Sequence, residues 1–325
     1  MVWYGWAGLG VLLVNQAMLP WGIEPFARWF TPIMWSAYIL VADARVLRRD
    51  GTSLIHDRPA EAAFMTLASI PLWLVFEAYN LRLRNWAYFG VPETPAVAAL
   101  AYAWSFATIW PALFETAALL GARWPADRAT SRRVPAPRPA RLRTAIVVGL
   151  AFLAVPPLLP AAVRPWTFGF VWLGFVLLLD PLNYRAGRPS FLEAWIRGDR
   201  AFVHRWLLGG LLCGVLWEFW NYWALARWRY VGVPVFPEWK LFEMPIAGYL
   251  GFPPFALEAF TMYHFVRLAR LDLARVGGPP DDSKTTRKGG GHNDRGDQAW
   301  EDGRSEACEG RGRQARRGPG GEGEG

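Results

Sequence analysis

Long apolar runs alternate with short, arginine-bearing polar breaks as far as residue 275, after which the chain changes character. A bilayer core takes about 20 mostly apolar residues per helix. Eight runs approach or meet that length: 3–20, 27–45, 63–83, 96–120, 144–161, 168–184, 203–223 and 240–266. They predict an all-α fold, a polytopic transmembrane helix bundle of about eight spans. The first run lacks the basic leader and small-residue cleavage site of a secretory signal, so it reads as a retained helix. Residues 276–325 are rich in Gly, Arg, Asp and Glu and read as a disordered tail.

Polar landmarks inside the apolar runs recur. Phe76-Glu77-Ala78-Tyr79-Asn80, Trp86-Ala87-Tyr88 and Gly90-Val91-Pro92 form one series. Trp217-Glu218-Phe219-Trp220-Asn221, Trp228-Arg229-Tyr230 and Gly232-Val233-Pro234 form the second. Pro111 and Glu115 match Pro254 and Glu258, and Asp43 with Ser53 matches Asp180 with Ser190. The offset stays between 137 and 143 residues. The unit spans four helices, so both copies would enter the membrane in the same sense, as a parallel repeat about the membrane normal. The organisation expected is a first membrane repeat at 1–121, a basic cytoplasmic linker at 122–142, a second repeat at 143–275 and the tail. Trp217, Glu243 and His264 have no polar counterpart in the first copy.

Composition sharpens this. Hydrophobic residues make up 53% of the chain and charged residues 19%, with 20 Trp and 20 Phe. Soluble domains carry about 25% charged residues. An ordinary soluble enzyme, a disordered chain and a small disulfide scaffold are thereby excluded. The net charge is +8, and because the tail holds 9 basic and 10 acidic residues, the rest of the chain carries +9. Nineteen arginines fall in the breaks on one side of the predicted spans and seven basic residues on the other. The positive-inside rule then places both termini in the cytoplasm of a cell membrane, inner or plasma. The basic surplus reads as membrane orientation, with lipid as the partner and not nucleic acid. Oligomeric state is not legible. Cys213 and Cys308 form no disulfide or zinc framework, and no metal or cofactor motif is present.

Ionisable groups inside apolar runs cost roughly 2.5–3.5 kcal/mol or more and mark candidate sites. Here they are Asp43, Glu77, Glu115, Asp180, Glu218, Glu243 and Glu258. Glu77 with Asn80, and Glu218 with Asn221, are three apart and share a helix face. Such a pair serves a binding or catalytic site, or hydrogen-bonds between helices as structural glue. Lys240 stands three residues before Glu243, close enough to pair with it. Asp43 and Asp180 precede Arg48 and Arg185, which suggests interfacial Asp–Arg clamps. Pro111 and Pro253-Pro254 suggest kinks ahead of Glu115 and Glu258. Trp217, Trp220, Trp223 and Trp228, with Tyr230, would line an aromatic pocket able to hold a cation, or serve as belt and core.

Taken together, Trp217-Glu218, Trp228-Arg229-Tyr230, Pro237-Glu238, Phe242-Glu243, Pro245 and Glu258 resemble the integral-membrane lycopene cyclase domain family. Phe76-Glu77, Trp86-Ala87-Tyr88 and Glu115 look like a degenerate copy. The resemblance covers roughly 65–120 and 205–265. It implies a cofactor-independent isomerisation of a carotenoid or terpenoid polyprenoid, in which an acid protonates a double bond and the cation cyclises over aromatic faces. Glu218 or Glu243 would then be the acid and Glu77 or Glu258 the base or its partner. A non-enzymatic carrier or transporter of a lipid or cation, and a purely structural membrane protein, stand as alternatives.

Overall fold

The computed structural model describes residues 1–121 and 134–277, with side chains described through Arg267. Linker positions 122–133 and the expected disordered tail beyond 277 lie outside the described residues. Residues Met1–Val276 pack as one unit.

The fold is mostly helical. The first half runs α1 (Trp3–Met18), α2 (Phe30–Asp50), short α3 (Leu54–Asp57), α4 (Pro59–Leu83), β1 (Trp86–Phe89), α5 (Pro95–Ala107) and α6 (Ile109–Leu120). The second runs α7 (Pro139–Ala154), α8 (Phe168–Arg185), short α9 (Phe191–Arg197), α10 (Arg200–Trp223), β2 (Arg227–Tyr230), β3 (Lys240–Leu241), β4 (Met244–Pro245) and α11 (Phe252–Gly277). Among the described residues, five stretches are long and apolar enough to cross a membrane: Phe30–Asp50, Pro59–Leu83, Pro95–Leu120, Pro139–Leu158 and Arg164–Arg185. This is compatible with a multi-pass membrane protein. α1, with 16 residues, and α10 and α11, which carry Glu218 and Glu258, are not among the five.

Four expectations change. The fold is not purely helical, because β1 pairs with β2 and β3 with β4 in two short antiparallel ribbons. The run 240–266 is not one helix: 240–251 form the β3–β4 turn and a 3-10 turn, and α11 starts only at Phe252. Pro111 and Pro254 therefore lie in the first turns of α6 and α11, where a missing N–H costs nothing, and kink no helix interior. The chain breaks at Thr108, between α5 and α6.

The fourth concerns the aspartates. Asp43 does not clamp Arg48. It accepts from the Tyr4 hydroxyl at 2.5 Å, the Ser53 hydroxyl at 2.8 Å and the Ile55 N–H at 2.7 Å. Asp180 accepts from the N–H groups of Phe191 and Leu192 at 2.8 and 2.9 Å. Each buried carboxylate thus ties down the start of the short helix that follows it. That helix is capped in both halves by serine: Ser53 accepts from His56 N–H, and Ser190 from Glu193 N–H. These bonds satisfy donors that the first turn of a helix would otherwise leave unpaired.

Candidate functional site: an aromatic cavity behind a two-stranded ribbon

In β1 and β2, Trp86 stands opposite Tyr230 and Tyr88 opposite Trp228. Alternate residues share a face of a strand, so the four rings form one aromatic face. Asparagines one turn back on the helices hold the strands in place. Asn80 accepts from the N–H groups of Asn85 and Trp86 and donates to the Trp86 carbonyl at 2.9 Å. Asn221 accepts from Trp228 N–H and donates to the Trp228 carbonyl, both at 2.9 Å. One carboxamide side chain thereby closes a helix-to-strand turn in each half.

The two glycines of the repeated Gly-Val-Pro motif have a reciprocal role. A Cβ on Gly90 would stand 2.2 Å from the Leu225 carbonyl oxygen, and one on Gly232 would stand 2.2 Å from that of Arg84. Each half's glycine seats against the turn that precedes the other half's strand.

Behind this ribbon lies a cavity of about 570 Å³. The four ribbon rings line it, together with Trp35, Trp73, Trp172, Trp217, Phe168 and Phe255. The rings interlock: Trp86 meets Phe168 edge to face at 5.0 Å, Trp73 meets Phe255 edge to face at 5.8 Å, and Trp35 meets Trp217 at a tilt at 5.0 Å. Gly251 leaves room for Trp172, since a Cβ there would fall 1.8 Å from the indole. Arg28 and Arg227 are the only charged groups among the described residues that line the cavity.

The repeated glutamates stand behind the wall, not on it. Glu77 Oε1 accepts from Tyr88 OH at 2.6 Å, from Trp73 Nε1 at 2.8 Å and from Trp86 Nε1 at 3.2 Å. Glu218 Oε1 accepts from Tyr230 OH at 2.7 Å and Trp228 Nε1 at 3.3 Å. Each carboxylate gathers the polar edges of rings whose faces enclose the cavity.

The other candidates separate. Trp217, Trp228 and Tyr230 line the cavity. Trp220 does not; it packs on Trp35 with centroids 4.8 Å apart, and Trp223 is half exposed. Glu243 lies in the turn between β3 and β4 and not in a span. It faces Arg229 at 3.6 Å and Arg227 at 3.9 Å instead of pairing with Lys240. Glu115 is buried in α6 near Asp43, with Oε2 unpartnered. Glu258 is fully buried in α11, and neither of its oxygens has a hydrogen-bond partner. Pro254 and Phe255 line the cavity, and Glu258 follows one turn later on the same face of α11.

The sequence reading missed Trp35, Trp73, Trp172 and Phe255 as wall residues, and Arg28 and Arg227 as the cavity's charged groups. A partial signal existed in the first copy's Trp86 and Tyr88, which the repeat matched to Trp228 and Tyr230. No family model, curated protein or solved structure matches the chain.

Proposed function

We propose that this chain is an integral membrane protein that binds an elongated apolar lipid of the polyprenoid class in its ring-walled cavity. The cavity carries the reading. Its volume of about 570 Å³ falls within the roughly 300–1,000 Å³ of small-molecule sites, and its wall is almost wholly aromatic and aliphatic. Flat rings set edge to face offer an unsaturated chain extensive dispersion contact without a large entropic cost.

In this reading the molecule comprises eight spans in two parallel four-helix copies, with α1, α10 and α11 joining the five apolar stretches. The support is the matched element order, the Asp43 and Asp180 anchors, the two Glu–Asn clasps and the reciprocal glycine seats. The arginine asymmetry supports cytoplasmic termini in a cell membrane.

The chemistry proposed for the bound lipid is a proton-initiated, cofactor-independent isomerisation or cyclisation. A carboxylic acid gives its proton to one double bond. The resulting cation is attacked by a second double bond, and a proton leaves to a carboxylate, so composition is unchanged. Ring faces stabilise such a cation by about 2 kcal/mol each when desolvated. Glu258 is the acid we favour, because neither of its oxygens has a hydrogen-bond partner and it lies one turn beyond the wall residues Pro254 and Phe255, although it does not itself line the cavity. Glu77 and Glu218 position the rings. A carrier without chemistry is the second reading, and it is favoured by the placement of those two glutamates behind the wall.

Equilibrium binding of tritiated geranylgeraniol to the protein in phosphatidylcholine nanodiscs tests the first claim. Saturable binding at one site per chain, weakened in Trp217→Ala and Phe255→Ala, is expected. Absence of saturable binding by folded protein rejects it. Lipid extracts of lycopene-producing cells then separate enzyme from carrier: a new isomer formed by wild type and lost in Glu258→Gln supports catalysis, and binding without any new product supports the carrier.

A further inference from the structure

The charged side chains that line the cavity, among the described residues, belong to two neighbouring segments. Arg28 precedes α2 and Arg227 opens β2, and both line the cavity. The Leu225 N–H donates to the Ala27 carbonyl at 3.1 Å, so the segments that carry the two arginines are tied side by side. Thr31 stands three residues after Arg28, at the start of α2, and also lines the cavity. It is 92% buried by its exposure of 8%, and its hydroxyl has no hydrogen-bond partner.

The acids near these arginines do not face the cavity. Glu24 pairs with Arg28 Nε at 3.0 Å, one turn away and about half in solvent. Glu243 stands 3.9 Å from Arg227 and closer, at 3.6 Å, to Arg229. Arg227 Nη1 also donates to the Tyr222 carbonyl at 2.9 Å. A guanidinium carries five N–H donors, so these contacts leave donors on both arginines. The charge turned toward the cavity is therefore positive, and the buried hydroxyl beside it can donate as well.

We infer that the cavity's ligand bears an anionic head of the phosphate-ester type, held by Arg28, Thr31 and Arg227, with its apolar chain running inward between Trp35, Trp217 and Phe255. The inference rests on the lipid-binding reading above and names the class of lipid. Guanidinium and hydroxyl donors match the oxygens of a phosphate, with charge-assisted bonds roughly twice as strong as neutral ones. An uncharged hydrocarbon would leave this end of the cavity without a counterpart.

Three probes with shared parts test it on the full chain in neutral phosphatidylcholine nanodiscs: geranylgeranyl phosphate, geranylgeraniol and inorganic phosphate. The phosphate ester is expected to bind at least about tenfold tighter than the alcohol, the size of effect one or two charge-assisted bonds supply. Inorganic phosphate, lacking the chain, should compete far more weakly. In Arg28→Gln/Arg227→Gln the preference should fall to near unity because the ester loses far more affinity than the alcohol, and Arg28→Lys/Arg227→Lys should keep part of it. Equal binding of ester and alcohol to wild type overturns the anionic head, as does a preference that survives the glutamine pair. Inorganic phosphate binding as tightly as the ester overturns the lipid identity. Should neither chain-bearing probe bind, the cavity reading itself fails. If the double glutamine variant does not fold, the wild-type comparison and Arg28→Gln alone still decide, because the ion pair of Arg28 is nearly half exposed.

Discussion

Tyr230 donates its hydroxyl to Glu218 at 2.7 Å, with its ring on the cavity wall and the carboxylate behind it. Tyr88 and Glu77 make the equivalent bond at 2.6 Å. The glutamates that stand out in the sequence thus act first on the wall. Glu218→Ala would leave the Tyr230 hydroxyl without its acceptor, at about 1–3 kcal/mol, while the Trp228 indole N–H keeps the Tyr230 oxygen at 3.0 Å. Glu218→Gln retains an oxygen acceptor and should cost less than about 1 kcal/mol. Denaturant unfolding in detergent micelles checks both. An alanine variant as stable as wild type would show that the clasp contributes nothing.

Gly90 is held by backbone geometry as well as by space. Its φ is +67°, a region costly to residues with a Cβ, and the Leu225 carbonyl oxygen would stand 2.2 Å from that Cβ. Gly232 meets the same obstruction from Arg84 without the positive φ. Both alanine variants should lower thermal stability, with Gly90→Ala lower by a further roughly 1–2 kcal/mol. Equal melting temperatures for the two would contradict the backbone argument.

Gly251 sets the size of the cavity. A methyl group there meets the Trp172 ring, which must turn into the cavity or push the 246–251 turn outward. Overpacking of this kind costs roughly 1–3 kcal/mol, so Gly251→Ala should weaken geranylgeraniol binding by about tenfold. Gly251→Ala/Trp172→Leu should recover it. Titration of both variants in nanodiscs reads the compensation, and unchanged affinity in the single variant counts against Trp172 as a wall.

The legibility of the molecule from sequence follows a physical division. The helices and the paired Glu–Asn landmarks could be read because each is local, and Asp43 and Asp180 stood out for the same reason, although the sequence pointed to arginines and the structure gives them helix-start N–H groups. An apolar run, a carboxylate eleven or twelve residues before the N–H groups it caps, and a side chain one turn from its strand all leave a mark within about twenty positions. The wall was not legible, because Trp35, Trp73, Trp172 and Phe255 come from four different helices and each reads as ordinary membrane-helix content. Glu243 misled for a related reason. Lys240–Pro245 is apolar enough to extend the next run, yet the Arg227 and Arg229 beside Glu243 and the pairing of β3 with β4 hold it outside α11. The two arginines of the cavity looked like ordinary loop charges until the fold joined Ala27 to Leu225.

Outside the spans, Asp57 links stability to pH. The Ser53 N–H donates to its carboxylate at 2.7 Å and holds the group below the ordinary carboxylate range. Its folded pKa lies below the unfolded value, so the stabilisation is fully present above about pH 4 and is lost as pH falls through the folded value. The stability difference between wild type and Asp57→Asn should therefore narrow below about pH 4. Melting temperatures of the two proteins from pH 7 to pH 3 give the comparison, and a difference that widens on acidification would reverse the assigned sign.

Residue-level mapping of a photoreactive polyprenyl chain reaches the central claim directly. A diazirine-bearing geranylgeranyl phosphate would be irradiated with the full chain in nanodiscs and its adducts located by mass spectrometry. Adducts concentrated on Trp86, Phe168, Trp217 and Phe255, and suppressed by excess unlabelled ester, are the predicted result. Adducts confined to outward-facing residues such as Trp3, Leu13 and Leu81, and unaffected by competitor, would contradict it.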